Sequence, residues 1–205
     1  MLYHSTSNSN HRVDLKEAIL RSLPPDNGLY MPDTLPLLGS DFWLKWRDLS
    51  FQEIGFAVAS AFFGDDVPED VLREIVDGTI TFDAPLVTLG PSDHILELFH
   101  GPTLAFKDFG ARFMARLMAW LTRNDGRELT VLVATSGDTG GAVASAFHNL
   151  PGTRVIILYP QGKVSGLQEK QLTALGGNIT ALEIQGSFDD CQALVKSAFL
   201  DRELS

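Results

Sequence analysis

The sequence predicts an α/β protein: a parallel sheet with helices on both faces, preceded by a mostly helical region. Three observations carry this. From Asp93 onward, short strand-like runs alternate with segments of helical period, as in "HILELFH", "ELTVLVAT", "GGAVASAFHNL" and "RVIILYP", and such alternation implies parallel strands joined by right-handed crossovers. Before residue 90 the turn signals "LPPDNGLYMPDTLP" and "GDDVPED" instead bracket a helix-like stretch. Apolar residues make up 44% of the 205, enough for a buried core. The composition shift divides the chain into 1–90 and 91–205.

In the first region "FQEIGFAVASAFFG" (51–64) reads as a buried helix, and "DVLREIVDG" (70–78) as a shorter amphipathic one stopped by Gly78. "HILELFH" (94–100) alternates and reads as a strand. The Gly101-Pro102 turn signal then precedes a helix. Its apolar face is Phe106, Phe109, Phe113, Met114, Leu117, Trp120 and Leu121, at a spacing of three to four residues. A strand at 128–135, a helix at 140–150 and a strand at 154–160 follow. The last elements are "GLQEKQLTALGG" (166–177), a helix with a glycine stop, the strand "NITALEIQG" (178–186), and a helix at 187–200 with Ser187 as its N-cap.

The formal net charge of -10 argues against nonspecific grip on nucleic acid or an anionic membrane, since both need a basic surface. The single cysteine, Cys191, excludes a disulfide within the chain and a thiolate zinc cluster, and reads as a small packing residue. The histidines lack metal-ligand spacing, so no metal is expected. The start, "MLYHSTSNSNHRVD", lacks the plan of a signal peptide, and no apolar run approaches a bilayer-spanning length. The expectation is a soluble, cytoplasmic protein.

Two stretches can carry chemistry. In "LFHGPTLAFKDFGARFMARLM" (98–118) Lys107 falls in or just before the first helical turn, among aromatic residues. A cation is badly placed there, because that end of a helix is positive. One reading is a lysine whose stem packs on Phe106 while its amine reaches water. The other is a Schiff-base lysine, since desolvation and the helix field favour the neutral amine that attacks an aldehyde. "ATSGDTGG" (134–141) follows a strand and opens a helix, where ligands bind in open parallel sheets. Its amides and the hydroxyls of Thr135, Ser136 and Thr139 can hold a carboxylate or phosphate. It is neither a P-loop nor a dinucleotide fingerprint. The alternative is a tight turn with Asp138 or Thr139 as a cap.

Together, "HGPTLAFKDFGARF" and "ATSGDTGGAVASAF" resemble the threonine synthases, fold-type-II enzymes dependent on pyridoxal 5'-phosphate. The resemblance extends to "YHSTSN", "PPDNGLYMPDTLP" and "VIILYPQGKVSGLQEKQLTALGGNI". It implies a lyase of threonine biosynthesis that converts O-phosphohomoserine and water to threonine and phosphate. Carried over by motif, Lys107 holds the cofactor's aldehyde and then serves as general base. Thr135, Ser136, Gly137 and Thr139 grip the substrate carboxylate. Asp138 stands near the cofactor's 3-hydroxyl, where related enzymes carry an asparagine. Lys163 and Ser165 either help hold substrate phosphate or form a solvated loop before a helix. Arg112 is a surface residue or an ion-pair partner, and His100 receives no proton-transfer role. The family places its glycine-rich loop for the cofactor phosphate beyond Ser205, so the chain is expected to be the N-terminal half, inactive alone. The alternatives are a related serine/threonine dehydratase and an inactive folded fragment.

Overall fold

The computed structural model describes residues 1–201. The chain divides into two units, Met1–Thr81 and Phe82 onward.

In the first unit β1 (Tyr3–Ser5), β2 (Arg12–Val13) and β3 (Tyr30–Pro32) form an antiparallel sheet in the order β2-β1-β3. Strands of two or three residues are too short to show an alternating pattern, so this sheet adds to the helices the sequence announces. A buried polar contact fixes it: the fully buried Ser5 hydroxyl donates to Asp26 Oδ1 at 2.7 Å. That bond and the Gly28 N–H hold the Asp26 carboxyl below its ordinary range. α1 (Leu15–Arg21) is capped by Asp14, and α2 (Ser40–Lys45) runs into a 3₁₀ turn.

α3 (Phe51–Phe63) opens with a Ser50/Glu53 capping box. α4 (Glu69–Thr79) buries Leu72, Ile75, Val76 and Thr79, the amphipathic face expected, and runs one residue past Gly78. α3 packs on α4, and Gly55 makes the approach possible, since a Cβ there would lie 2.5 Å from Ile80 Cδ1. α3 departs from the expectation of a buried helix. Only Ala59 is fully buried, because α4 covers one side of a helix that is apolar on several.

In the second unit β4 (Leu86–Thr88) and β5 (His94–Leu96) form an antiparallel pair. The strand read at 94–100 is therefore three residues long and lies outside the parallel sheet. The division expected at residue 90 falls within this pair, whereas the units divide between Thr81 and Phe82.

The alternation that follows is as read: α5 (Lys107–Thr122), β6 (Leu129–Ala134), α6 (Asp138–Phe147), β7 (Thr153–Pro160), α7 (Gly166–Thr173), β8 (Ile179–Ile184) and α8 (Phe188–Leu200). Ser187 caps α8 in a capping box with Asp190. The strands are parallel in the order β6-β7-β8, with Ala134 opposite Leu158 and Pro160 opposite Ile184. Central β7 buries neighbouring residues that point to opposite faces, among them Ile157 and Leu158. Right-handed crossovers put α6 and α7 on one face, while α8 packs across β6 and β7.

The buried face of α5 differs from the one read. Asp108, Ala111, Ala115, Leu117 and Met118 are buried, while Phe106 is 60% exposed. α5 packs against α6, whose own buried face is Gly140, Gly141, Ala142, Val143, Ala144 and Phe147. Small side chains let two helices approach, and a reading weighted by hydrophobic bulk passes over them. Ala115 is 0% exposed. Ala115→Leu is expected to lower stability by about 1–3 kcal/mol through overpacking, read as a shift of the urea midpoint.

Candidate active site

The loops after β6 and β7 leave the same edge of the sheet, as parallel strands require. The first is built around one hydroxyl. Thr135, 1% exposed, donates from Oγ1 to the Gly137 carbonyl at 3.1 Å and accepts the N–H of Gly137 at 3.0 Å and of Gly140 at 2.9 Å. A threonine hydroxyl offers one donor and two acceptor sites, so Oγ1 is fully committed to the turn. Thr135 thus lies beneath the loop as its anchor, and its hydroxyl has no donor left for a substrate carboxylate.

Gly137 has φ +149°, and a Cβ on it would lie 2.4 Å from Gln168 Nε2; at Gly140 it would lie 2.5 Å from Thr135 Cγ2. Bare backbone at these positions lets α7 close onto the start of α6. There Gln168 Nε2 donates to Asp138 Oδ1 at 2.7 Å, and Gln168 Oε1 accepts from the Ser165 amide and hydroxyl, both at 3.0 Å. Neither Asp138 nor Thr139 caps α6, whose N-cap is Gly137 with no side-chain bond. The amides of Asp138 and Thr139 open the helix with no acceptor among the described residues. Ser136 is exposed beside them. Ser165 is the N-cap of α7, its hydroxyl engaged with Gln168. Lys163 is exposed in the loop after β7.

Lys107 is the first residue of α5. It is half-buried, with Nζ 4.3 Å from the centroid of the Phe106 ring. Cation and ring face attract, so the ammonium itself, rather than the stem of the plainer reading, meets Phe106. Its neighbour Asp108 is 0% exposed and accepts from the Thr103 amide at 2.9 Å and the Thr103 hydroxyl at 2.6 Å. Gln171 of α7 donates from Nε2 to the Thr103 carbonyl at 3.3 Å, and its Oε1 lies 3.2 Å from where a Gly141 Cβ would stand. Helix α7 thereby brings together the loop before Lys107, the glycine turn before α6 and the loop after β7.

The remaining candidates lie apart from these contacts. Arg112 stands 5.7 Å from the Phe82 ring centroid. His100 Nε2 is 2.7 Å from Glu97 Oε2, and its ring stacks on Phe99. Cys191 is fully buried, and burial pushes its thiol up. Tyr159 near the end of β7 is held protonated by burial, with Glu183 and Glu169 adding to the effect. The sequence reading missed Asp108, Gln168 and Gln171. The available signal for Asp108 was an acidic residue in the first turn, next to a lysine that the helix field disfavours.

Residues 94–203 match the family described as pyridoxal-phosphate dependent enzyme, more than half of the chain. The chain belongs to the pyridoxal-phosphate dependent enzyme family. Residues 2–80 match the threonine synthase N terminus, so this member of the family carries a threonine synthase N-terminal region ahead of its pyridoxal-phosphate enzyme region. A threonine synthase of Escherichia coli is 46% identical over 207 residues, covering 100% of this chain and 47% of that protein. One of Schizosaccharomyces pombe is 39% identical, covering 99% and 42%. Among solved structures, pyridoxal phosphate-bound threonine synthase of Brucella melitensis superposes with a TM-score of 0.90 at 39% identity, covering 99% of this chain and 45% of that one. The α/β fold is thus that of the threonine synthases. The chain spans about half the length of the curated relatives it matches.

The residues present fit the family's cofactor. An aldehyde needs a primary amine held at a defined point, and Lys107 is such an amine at the start of a packed helix. Thr135→Val strands the N–H groups of Gly137 and Gly140. It is expected to cost about 1–3 kcal/mol, whereas Thr135→Ser keeps the hydroxyl and nearly all of the stability. Equilibrium unfolding of the two variants checks this.

Proposed function

We propose that this chain is the lysine-bearing part of a cytoplasmic threonine synthase. The reaction is the conversion of O-phosphohomoserine and water to threonine and phosphate, with pyridoxal 5'-phosphate as cofactor. The observation that carries the reading is Lys107 at the opening of α5, tied through Thr103 and α7 to the glycine turn of α6. The match of residues 2–80 to the threonine synthase N terminus supports this activity over others of the broader family. Among the described residues no helix is long and apolar enough to cross a membrane.

When bound, the cofactor supplies an electron sink for the charge left by removal of a proton from the amino-acid Cα. Lys107 Nζ would hold the cofactor's aldehyde carbon. Beside a bound substrate the same amine would be the base that takes the Cα proton and serves the later transfers at Cβ and Cγ. One lysine suffices because it stays within reach of all three carbons. The open amides of Asp138 and Thr139, with the hydroxyls of Ser136 and Thr139, hold the substrate carboxylate at the positive end of α6. Gly137 keeps this approach bare, and Thr135 holds its shape. Asp138, steadied by Gln168, is the residue that would stand beside the cofactor ring. Lys163 offers a cation to the substrate phosphate, and Ser165 fixes the start of α7 behind it.

In the full-length protein, Lys107→Ala should abolish the visible absorption of lysine-bound cofactor and cut turnover by about 10²–10⁴-fold or more. A borohydride-reducible adduct at another lysine would refute the assignment. Substrate choice separates the two enzyme readings: threonine and phosphate from O-phosphohomoserine support the synthase, and a keto acid from serine or threonine supports a dehydratase. The 205-residue chain assayed alone is expected to form no threonine from O-phosphohomoserine, since it spans about half of its relatives. Product release at a rate typical of a complete enzyme would overturn that.

A further inference from the structure

We propose that Asp108 is a positioning residue that sets the reach of Lys107, an inference that rests on the role given to Lys107 above. Asp108 is the only acidic side chain fully buried among the described residues. A buried carboxylate is tolerated only where its oxygens are satisfied, and here both are satisfied by one residue. Oδ2 accepts the Thr103 N–H at 2.9 Å and Oδ1 accepts the Thr103 hydroxyl at 2.6 Å.

The six residues Gly101 to Phe106 are folded around this carboxylate. A Cβ on Gly101 would lie 2.4 Å from Asp108 Oδ2 and 2.8 Å from Phe82 Cζ, so only glycine fits. Leu104 takes φ +63°, a left-handed conformation that a leucine adopts only when its surroundings compel it. The Asp108 N–H closes the loop on the Ala105 carbonyl at 3.0 Å. Successive residues of a helix diverge by about 100° around its axis. With Asp108 locked inward, the direction in which Lys107 leaves the helix is set as well, and its amine comes to rest over Phe106. The charge also suits the place, because a carboxylate in the first turn complements the positive end of α5 that Lys107 opposes. Thr103 passes the constraint on through the bond from Gln171 to its carbonyl.

The test uses the full-length protein with pyridoxal phosphate and the variants Asp108→Ala, Asp108→Asn, Thr103→Val and Thr103→Ser. Three properties are read: the rate at which borohydride traps the cofactor on Lys107 (located by peptide mass), the split between kcat and KM, and the urea midpoint. Asp108→Ala is expected to slow trapping and lower kcat together by about 10- to 100-fold, with KM nearly unchanged. Thr103→Val should act in the same sense and Thr103→Ser should restore the wild-type values. The Asp108→Ala, Thr103→Val pair should be no worse than Asp108→Ala alone, because both remove one shared contact. Asp108→Asn keeps the shape and a partner for the Thr103 amide, so it tests the contact if Asp108→Ala does not fold; it should trap faster than Asp108→Ala or, where that fails, slower than wild type. Trapping on Lys107 at the wild-type rate in every folded variant would overturn the proposal while leaving the role of Lys107 intact. Trapping at another lysine in the wild type would refute that role instead.

Discussion

On the side that meets α7, the first turn of α6 is glycine backbone. Gly137 and Gly140 leave no room there for a Cβ, with the Gln168 amide and the Thr135 methyl filling what it would take, and Gly141 lies close against the Gln171 amide. From this closeness the rest of the site follows. It puts Gln168 within reach of Asp138 and Ser165, and Gln171 within reach of Thr103. Three loops from three different parts of the chain are held by two glutamines spaced one turn apart on one short helix. A side chain at Gly137 or Gly140 would force Gln168, or Thr135 and Leu172, to shift.

Most of the polar groups at this end of the sheet are spent on holding it together. Thr135 spends its hydroxyl on the turn, Asp108 spends both oxygens on Thr103, and Ser165 spends its hydroxyl on the start of α7. What is left uncommitted is a short row, namely the amides that open α6, the exposed Ser136 and the ammonium of Lys163. In a chain of net charge -10, such donors attract an anion only at short range, since the net charge repels it. The N-terminal family match ends at residue 80 and the first compact unit ends at Thr81, so the boundary of the family region and that of the physical unit nearly coincide.

The alternation of strands and helices after residue 128 was legible because β-branched runs and capped helices each carry their own local signal, Ser187 being the clearest cap. The lysine and the glycine turn were legible for a related reason: a cation at a helix start and three glycines in five residues are local anomalies. Tertiary geometry was not. The buried face of α5 was misread because Ala111 and Ala115 contribute fit rather than hydrophobic bulk. Asp108 escaped because its partner lies across a loop whose path turns on Leu104 at φ +63°, a conformation a leucine does not advertise. Thr135 looked like a ligand because a hydroxyl beside glycines reads the same whether it faces outward or supports the turn from below. The β4–β5 pair and the N-terminal sheet were too short for periodicity to register.

Cys191 gives the protein a built-in gauge of its own motions. It is the one thiol in the chain, it has no exposure to solvent, and burial keeps it in the unreactive protonated form. A thiol reagent can reach it only while α8 lifts away from the β6 and β7 strands it packs on. The labelling rate therefore counts the opening events of that face of the sheet, with no dye, tag or introduced residue.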